Sequence, residues 1–433
     1  MRRVVRKPFR SVVTCSLATW LTLTFALAFA LAPALAAPVE VTLMTHAGYL
    51  NGFEAMVEEF NASQDEVRVV LQPIAGDRNI LETFIVQSAA GTPPDMVWHF
   101  ETPQLAVSNM VAELTPYLER DGLGEAFLAD FLPGLANRYT YQGRLYGLPF
   151  GLNIGMAIFY NADLVREAGL AEPEEGWNWQ TFRQYVERLT RIDTAGNYVQ
   201  GGFSYDSAFL FPWVLQNGGR AYDDERNLWL PDREKTLEAL EFAVEIEQLR
   251  GVVEGKTFIT QGYAMIGSGN YGVQFLGNEG YEFDDFELRS VHWPTNRGDR
   301  GIFNGGYGLH MSNTGDSARM DASWAFIRWM VQPEQQLKYV SITHQVPTTF
   351  SATQSPEFRA LLDEAQPLRT FVEEAIRYGV AQPNPIGYSD YLTQMLYPRV
   401  RAALRGEVSP AEALIQLYSD AEAYYSNLQV PPH

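Results

Sequence analysis

The chain has 433 residues, 13 % of them aromatic, with 32 Lys and Arg against 52 Asp and Glu and a formal charge of −20. That length is too great for one ordinary domain and predicts two lobes. The acidic balance excludes nucleic acid and anionic lipid as partners, and a single cysteine, Cys15, excludes a disulfide-stapled fold.

Residues 1–36 read as a signal peptide rather than as part of the fold. Arg2, Arg3, Arg6, Lys7 and Arg10 open it, Leu17 to Leu31 is apolar, and Ala34-Leu35-Ala36 is a small-residue cleavage pattern. The apolar run is near the minimum for spanning a bilayer, so its small-residue end favours cleavage over anchoring. Cys15 precedes that run, whereas a lipoprotein cysteine would follow it, so a freely soluble, periplasmic protein is expected. Without those 36 residues and their five basic side chains, 397 residues remain, with no cysteine and a charge of −25.

Val39 to Met44 alternates as a strand does, Gly52 to Phe60 reads as a helix and Val67 to Leu71 as a strand. Ile80 to Ala90 is an amphipathic helix. The turn Gly91-Thr92-Pro93-Pro94 then leads into the apolar strand Asp95 to Trp98. Strands alternating with helices predict an open parallel sheet, with ligands beyond the carboxyl ends of its strands. The chain is expected to leave this lobe near Pro116, with a helix from Leu123 to Leu135. Gly143 to Leu170 is the organising stretch. Pro149 should end one strand, Ile154 to Tyr160 should be a buried second strand, and Asn161 should cap a helix stopped at Gly169. Further on, the pattern predicts a helix to Thr190, a strand from Gly201 to Ser204 and an aromatic segment from Phe209 to Gln216. A long helix from Glu234 to Arg250 follows, then strands at Tyr263–Ile266, Leu288–Trp293 and Gly305–Met311. The helix Ala318–Met330 and a last helix opening near Gly406 complete the pattern.

Several of these runs carry a resemblance. Tyr146-Gly147-Leu148-Pro149, Tyr160-Asn161-Ala162-Asp163-Leu164 and Ala168-Gly169-Leu170 are similar to the signature of the extracellular sugar-binding proteins of ABC importers, whose architecture is that of maltose-binding protein. The Gly91–Asp95 turn, Ala112–Pro116, Trp177–Phe182, Tyr263–Ile266, Trp324–Gln336 and Gly406–Leu414 also look like this family. His344-Gln345-Val346-Pro347 matches its Gly-x-x-Pro turn only in part, because His replaces Gly. The resemblance implies an α/β, two-lobed periplasmic-binding-protein fold (type II-like). Each lobe would be an open, mostly parallel sheet flanked by helices, the two hinged by several chain crossings. The expected division is 37–116 plus 309–350 for the first lobe and 117–308 plus 351–433 for the second. It also implies a binding protein rather than an enzyme: a monomer that closes on a carbohydrate, without cofactor, and delivers it to an ABC permease.

A sugar needs amide or carboxylate partners for its hydroxyl rim and aromatic rings for its C–H faces. Strand ends therefore nominate His46, Trp98, His99 and Glu101. Trp98 and His99 alternate, so one of them faces the cleft, and His99 is preferred. His46 and Glu101 have the alternative of bonding to each other across strand ends. Position nominates Asn153 beside the central strand, Asp206 and Trp213 in the aromatic segment, and Asn304 and Tyr307 beside the glycines of the return strand. The resemblance places stacking rings at Tyr271 and at Tyr388 and Tyr391. Each of these rings has core packing as its alternative.

Other motifs fall away. Gly267 to Gly272 fits G-x-G-x-x-G, but the run after it is broken by Gly277 and Gly280 and makes a poor helix. The loop is instead expected to bring Asn270 and Tyr271 to the cleft. The six histidines show no metal-ligand spacing, and no nucleophile motif is present. Two rival ligand classes stay open. A phosphate ester such as glycerol 3-phosphate would need cations, with Arg144 and Arg220 as candidates. An exported glycoside hydrolase would depend on a carboxylate such as Glu101.

Overall fold

Ten strands of the described residues build two open sheets. They are β1 (Val39–His46), β2 (Val67–Ile74), β3 (Met96–His99), β4 (Gly147–Ile154), β5 (Ala157–Asn161), β6 (Ser204–Tyr205), β7 (Met265–Ser268), β8 (Leu288–Val291), β9 (Ile302–Met311) and β10 (Gly379–Ala381). The structure is a computed structural model that describes residues 37–205, 210–270, 286–364 and 366–428. From Val39 onward the chain clusters as one unit.

The first sheet runs β10–β9–β3–β1–β2. β1 pairs parallel with both β2 and β3, as the alternation of strand and helix predicts. β9 returns antiparallel to β3, with β4 along its opposite edge. β3 is buried at every position, because helices cover both faces of a sheet interior. The helix Leu50–Ser63 supplies one cover, burying Phe53, Met56, Val57 and Phe60 at helical spacing. The second sheet runs β6–β7–β5–β8. It is mixed rather than mostly parallel: β6 and β7 are parallel, while β7 and β8 both lie antiparallel to β5. Its core holds Trp177, Trp179, Phe182, Trp213 and Trp293. The helix Trp179–Leu189 is fixed at its start by a capping box between Asn178 and Thr181.

The organising stretch differs from expectation at two points. Pro149 lies inside β4 rather than at its end. It is tolerated because β4 is an edge strand whose pairing with β9 shifts register between Gly306 and Gly308. The run Ile154–Tyr160 is not one strand, since β4 ends at Ile154 in the first sheet and β5 begins at Ala157 in the second. Gly155 makes the crossing. Its N–H donates to the Phe303 carbonyl at 2.7 Å, and a Cβ there would sit 2.9 Å from the Phe303 nitrogen, so only glycine allows two crossing segments this close. The chain therefore leaves the first sheet at Gly155, well after Pro116.

Asn161 caps the next helix through the Leu164 N–H, as its position predicts. The expected helix from Leu123 to Leu135 is instead two short turns, Glu125–Ala129 and Leu135–Arg138. Pro133 and left-handed Gly134 separate them, and neither continues a helix. No helix of the described residues is long and apolar enough to cross a membrane.

Asn270 pins the crossing. Fully buried, its Oδ1 accepts from the Ile154 N–H at 2.9 Å and its Nδ2 donates to the Leu152 carbonyl at 3.1 Å. It therefore belongs to the scaffold of the crossing, while Tyr271 lies outside the described residues. Asn270→Ala leaves a buried donor and a buried acceptor of β4 without their side-chain partner. It is expected to cost about 2 kcal/mol, read from the shift of a urea unfolding midpoint.

Candidate ligand-binding site

The carboxyl ends of β1, β2 and β3 meet the crossing segments around a cavity of about 380 Å³. The first sheet and its loops supply His46, Tyr49, Asp77, Phe100, Arg138, Asn153 and Tyr307. Met156, Phe211, Pro212, Leu215, Phe303, Gln382, Tyr388, Leu392 and Tyr397 line it as well.

His46, Asn153, Tyr307 and Tyr388 are the sequence-nominated residues that line this space. His46 Nδ1 accepts from the Gly48 N–H at 2.9 Å, which orients the ring at the strand end. No hydrogen bond links it to Glu101. Asn153 Oδ1 accepts from Gln345 Nε2 at 3.0 Å. The Tyr307 ring stacks on Trp98, with centroids 4.0 Å apart, and its hydroxyl donates to the Asp77 carboxylate at 2.8 and 3.0 Å. Tyr388 accepts from Gln382 Nε2 at 2.6 Å and packs edge-on against Phe100.

The other described nominees do not line the cavity, and each has a structural employment. Trp98 is fully buried, donates Nε1–H to the Phe150 carbonyl at 2.8 Å and shelves Tyr307. His99 is buried too, against the preference for it as the cleft-facing residue. Its Nδ1 accepts from the Glu101 N–H at 3.2 Å, so Nε2 carries the proton and donates to the Asp77 carbonyl at 3.2 Å. Burial pushes its pKa down to about 3, so the ring is neutral at physiological pH. Glu101 points to the chain after the crossing, where it accepts from the Ser389 N–H at 3.2 Å. Burial raises its pKa. Trp213 sits in the second core with Trp293 at 4.8 Å and Phe242 at 5.2 Å. Asn304 is fully buried and donates to the Ala375 carbonyl at 3.2 Å. Tyr391 stacks on Trp229 at 4.1 Å. In all of these the alternation or the motif located the neighbourhood, and packing turned the side chain inward. Asp206 lies outside the described residues.

Sequence reasoning missed Asp77, Tyr49, Arg138, Phe211 and Gln382. The signal for Asp77 was present: Gly76, at φ +83°, lies two residues past the end of β2, and the strand-end rule applied to β1 and β3 covers this position equally. Asp77 carries no ion pair among the described residues. Its pKa is raised by desolvation, against the lowering effect of the Tyr307 hydrogen bond and of His46. Arg138 was unreadable as a site residue, because nothing local marks its docking on the distant carbonyls of Gln382 and Pro383, at 2.6 and 3.4 Å. The proposed phosphate partners lie elsewhere. Arg144 is exposed beside Glu113, and Arg220 is engaged by Asp232 and Asp223 away from this cavity.

The sequence pattern of the family described as bacterial extracellular solute-binding protein matches residues 55–363. The mannitol-binding protein of Pseudomonas aeruginosa is 31 % identical over 108 residues, so the chain spans 24 % of that relative's length and the match covers 24 % of this chain. An ABC substrate-binding protein from Listeria monocytogenes, solved in complex with cycloalternan, superposes with a TM-score of 0.77 at 19 % identity, covering 90 % of this chain and 99 % of that one. The cyclic α-maltosyl-1,6-maltose binding protein from Arthrobacter globiformis gives a TM-score of 0.75 at 21 % identity, covering 90 % of this chain and 100 % of that one. These likenesses show the two-lobed binding-protein architecture. With the family pattern covering most of its length, the chain belongs to the bacterial extracellular solute-binding proteins.

Proposed function

We propose that this protein is the substrate-binding component of an ABC importer, and that it captures a small neutral carbohydrate or sugar alcohol in the cavity and releases it unchanged to the permease. The observation that carries the reading is the make-up of the cavity. Aromatic rings of Tyr49, Phe211, Tyr388 and Tyr397 stand around a space that also presents His46, Asp77, Asn153 and Gln382. Rings match the C–H faces of a sugar, and the polar groups match its hydroxyls. A cavity of about 380 Å³ falls within the ~300–1,000 Å³ typical of ligand sites. The names of the relatives, a mannitol binder and two binders of cyclic oligosaccharides, support the class.

In this reading residues 1–36 are a cleaved signal peptide, and the remainder works as a periplasmic monomer, without lipid anchor or catalytic activity. The two lobes divide at the crossings near Gly155, Gly301 and Gln382. Closure about these segments hides the ligand, and tighter binding to the closed state drives it. Arg138, a cation in the cavity wall, spends its Nη1 on the Gln382 and Pro383 carbonyls, and the cavity also presents the Asp77 carboxylate, so a neutral ligand fits this lining better than a phosphate ester.

The test is titration calorimetry of the mature protein against D-mannitol, D-glucose, maltose, mannobiose, glycerol 3-phosphate and a polyamine. The expected result is saturable binding of at least one neutral polyol, no heat from glycerol 3-phosphate, and compaction in small-angle scattering on saturation. Exclusive binding of the phosphate ester or of the polyamine would overturn the carbohydrate reading.

A further inference from the structure

Asp77 stands apart from the other charged groups around the cavity. It opens the helix Asp77–Ala89 directly after the left-handed Gly76, so its main chain is held by a turn and a helix start. His99 holds its carbonyl from β3. On the side-chain end, the Tyr307 hydroxyl reaches both carboxylate oxygens, at 2.8 and 3.0 Å. That is a single proton shared across a group with about four lone-pair positions. The other ionisable groups near it do not complete the set. His46, from the end of β1, lowers its pKa through charge alone, and Arg78, its neighbour, turns to Glu82 at 2.8 Å. Among the described residues the carboxylate therefore lines the cavity with acceptor capacity unfilled, held in orientation by a chain of contacts from Phe150 through Trp98 to Tyr307.

Resting on the reading that the cavity takes a neutral polyol, we propose that Asp77 is the specificity-determining residue: its carboxylate accepts a pair of adjacent ligand hydroxyls, with Tyr307 fixing its orientation, and it rejects anionic analogues by charge. Two neighbouring O–H donors match the two oxygens of a carboxylate, and bonds to a charged acceptor are the stronger kind. An acidic sugar would place a second carboxylate in a partly desolvated space beside the first, which is unfavourable.

The experiment uses calorimetry on the mature protein with whichever of D-mannitol, D-glucose, maltose or mannobiose binds the wild type, and with D-glucuronate as the anionic probe. Asp77→Asn is expected to weaken the neutral ligand by about 10- to 100-fold, the worth of bonds to a charged group, and to reduce the discrimination against glucuronate. Tyr307→Phe is expected to weaken the neutral ligand less and to leave glucuronate rejected. Because donors from the ligand favour the ionised carboxylate, wild-type affinity should fall as pH drops through the raised Asp77 pKa, and the Asp77→Asn profile should be flat over that range. Circular dichroism and thermal unfolding establish that both variants are folded. A folded Asp77→Asn protein that binds the neutral ligand as the wild type does would overturn this assignment alone. A wild type silent to every neutral polyol would overturn the functional reading along with it.

Discussion

Arg319→Met is expected to destabilise the protein by about 3–5 kcal/mol, although Arg319 is 43 % exposed and most exposed ion pairs contribute little. The reason lies with its partner. Asp95, at the entry to β3, is 1 % exposed and accepts from two guanidinium nitrogens, Nε and Nη2, each at 2.6 Å. The same carboxylate accepts from the Thr42 N–H and hydroxyl at 2.8 and 3.1 Å, and the Asp95 carbonyl accepts from Ser312 just after β9. One side chain thus ties β1 and the helix Ser317–Met330 together at the head of the sheet. Removing the arginine strands a buried charge. Removing the charge as well does not, so Asp95→Asn combined with Arg319→Met is expected to be more stable than Arg319→Met alone. Urea unfolding of both single variants and the double variant checks this. A double variant less stable than Arg319→Met would show that the pair's attraction, and not the stranded carboxylate, carries the cost.

Arg138→Met is the second large effect, expected at about 2–3 kcal/mol of stability, with ligand affinity lowered about tenfold or more. Arg138 is 6 % exposed and makes no ion pair among the described residues. It reaches the Gln382 and Pro383 carbonyls, and Asn384 reaches back to the Phe100 carbonyl at 2.6 Å. These bonds seat the chain that follows β10 against the first lobe. Methionine keeps much of the stem volume but leaves those carbonyls without their charged donor. Gln382 would then lose its anchor, and with it the bond that orients Tyr388 in the cavity. Denaturation gives the stability change, and calorimetry with the wild-type ligand gives the affinity. Unchanged affinity in a destabilised variant would confine Arg138 to the scaffold.

How much of this was legible depended on whether the controlling interaction was local. The alternation in Val39–Met44 and the spacing in Gly52–Phe60 encode burial on one face, and both elements form with only their ends extended. Asn161 caps through a residue only three positions on, so it too was readable. Pro149 and the Ile154–Tyr160 run were misread because their meaning is set by partners far along the chain. An edge position excuses the proline, and the approach of Phe303 makes Gly155 a crossing.

The chain by itself determined an α/β fold of alternating strands and helices and the family signature. Of the residues it nominated for ligand contact, His46, Asn153 and Tyr307, from strand ends and the glycines of the return strand, and Tyr388, from the family resemblance, line the cavity. Only the tertiary structure decided that Trp98, His99, Trp213 and Tyr391 turn inward while Arg138 reaches the cavity wall. The physical reason is that periodicity reports which face of an element is apolar. Whether a ring at a strand end packs on a neighbour or meets a ligand is settled by partners distant in sequence, as Phe150 and Tyr307 are from Trp98.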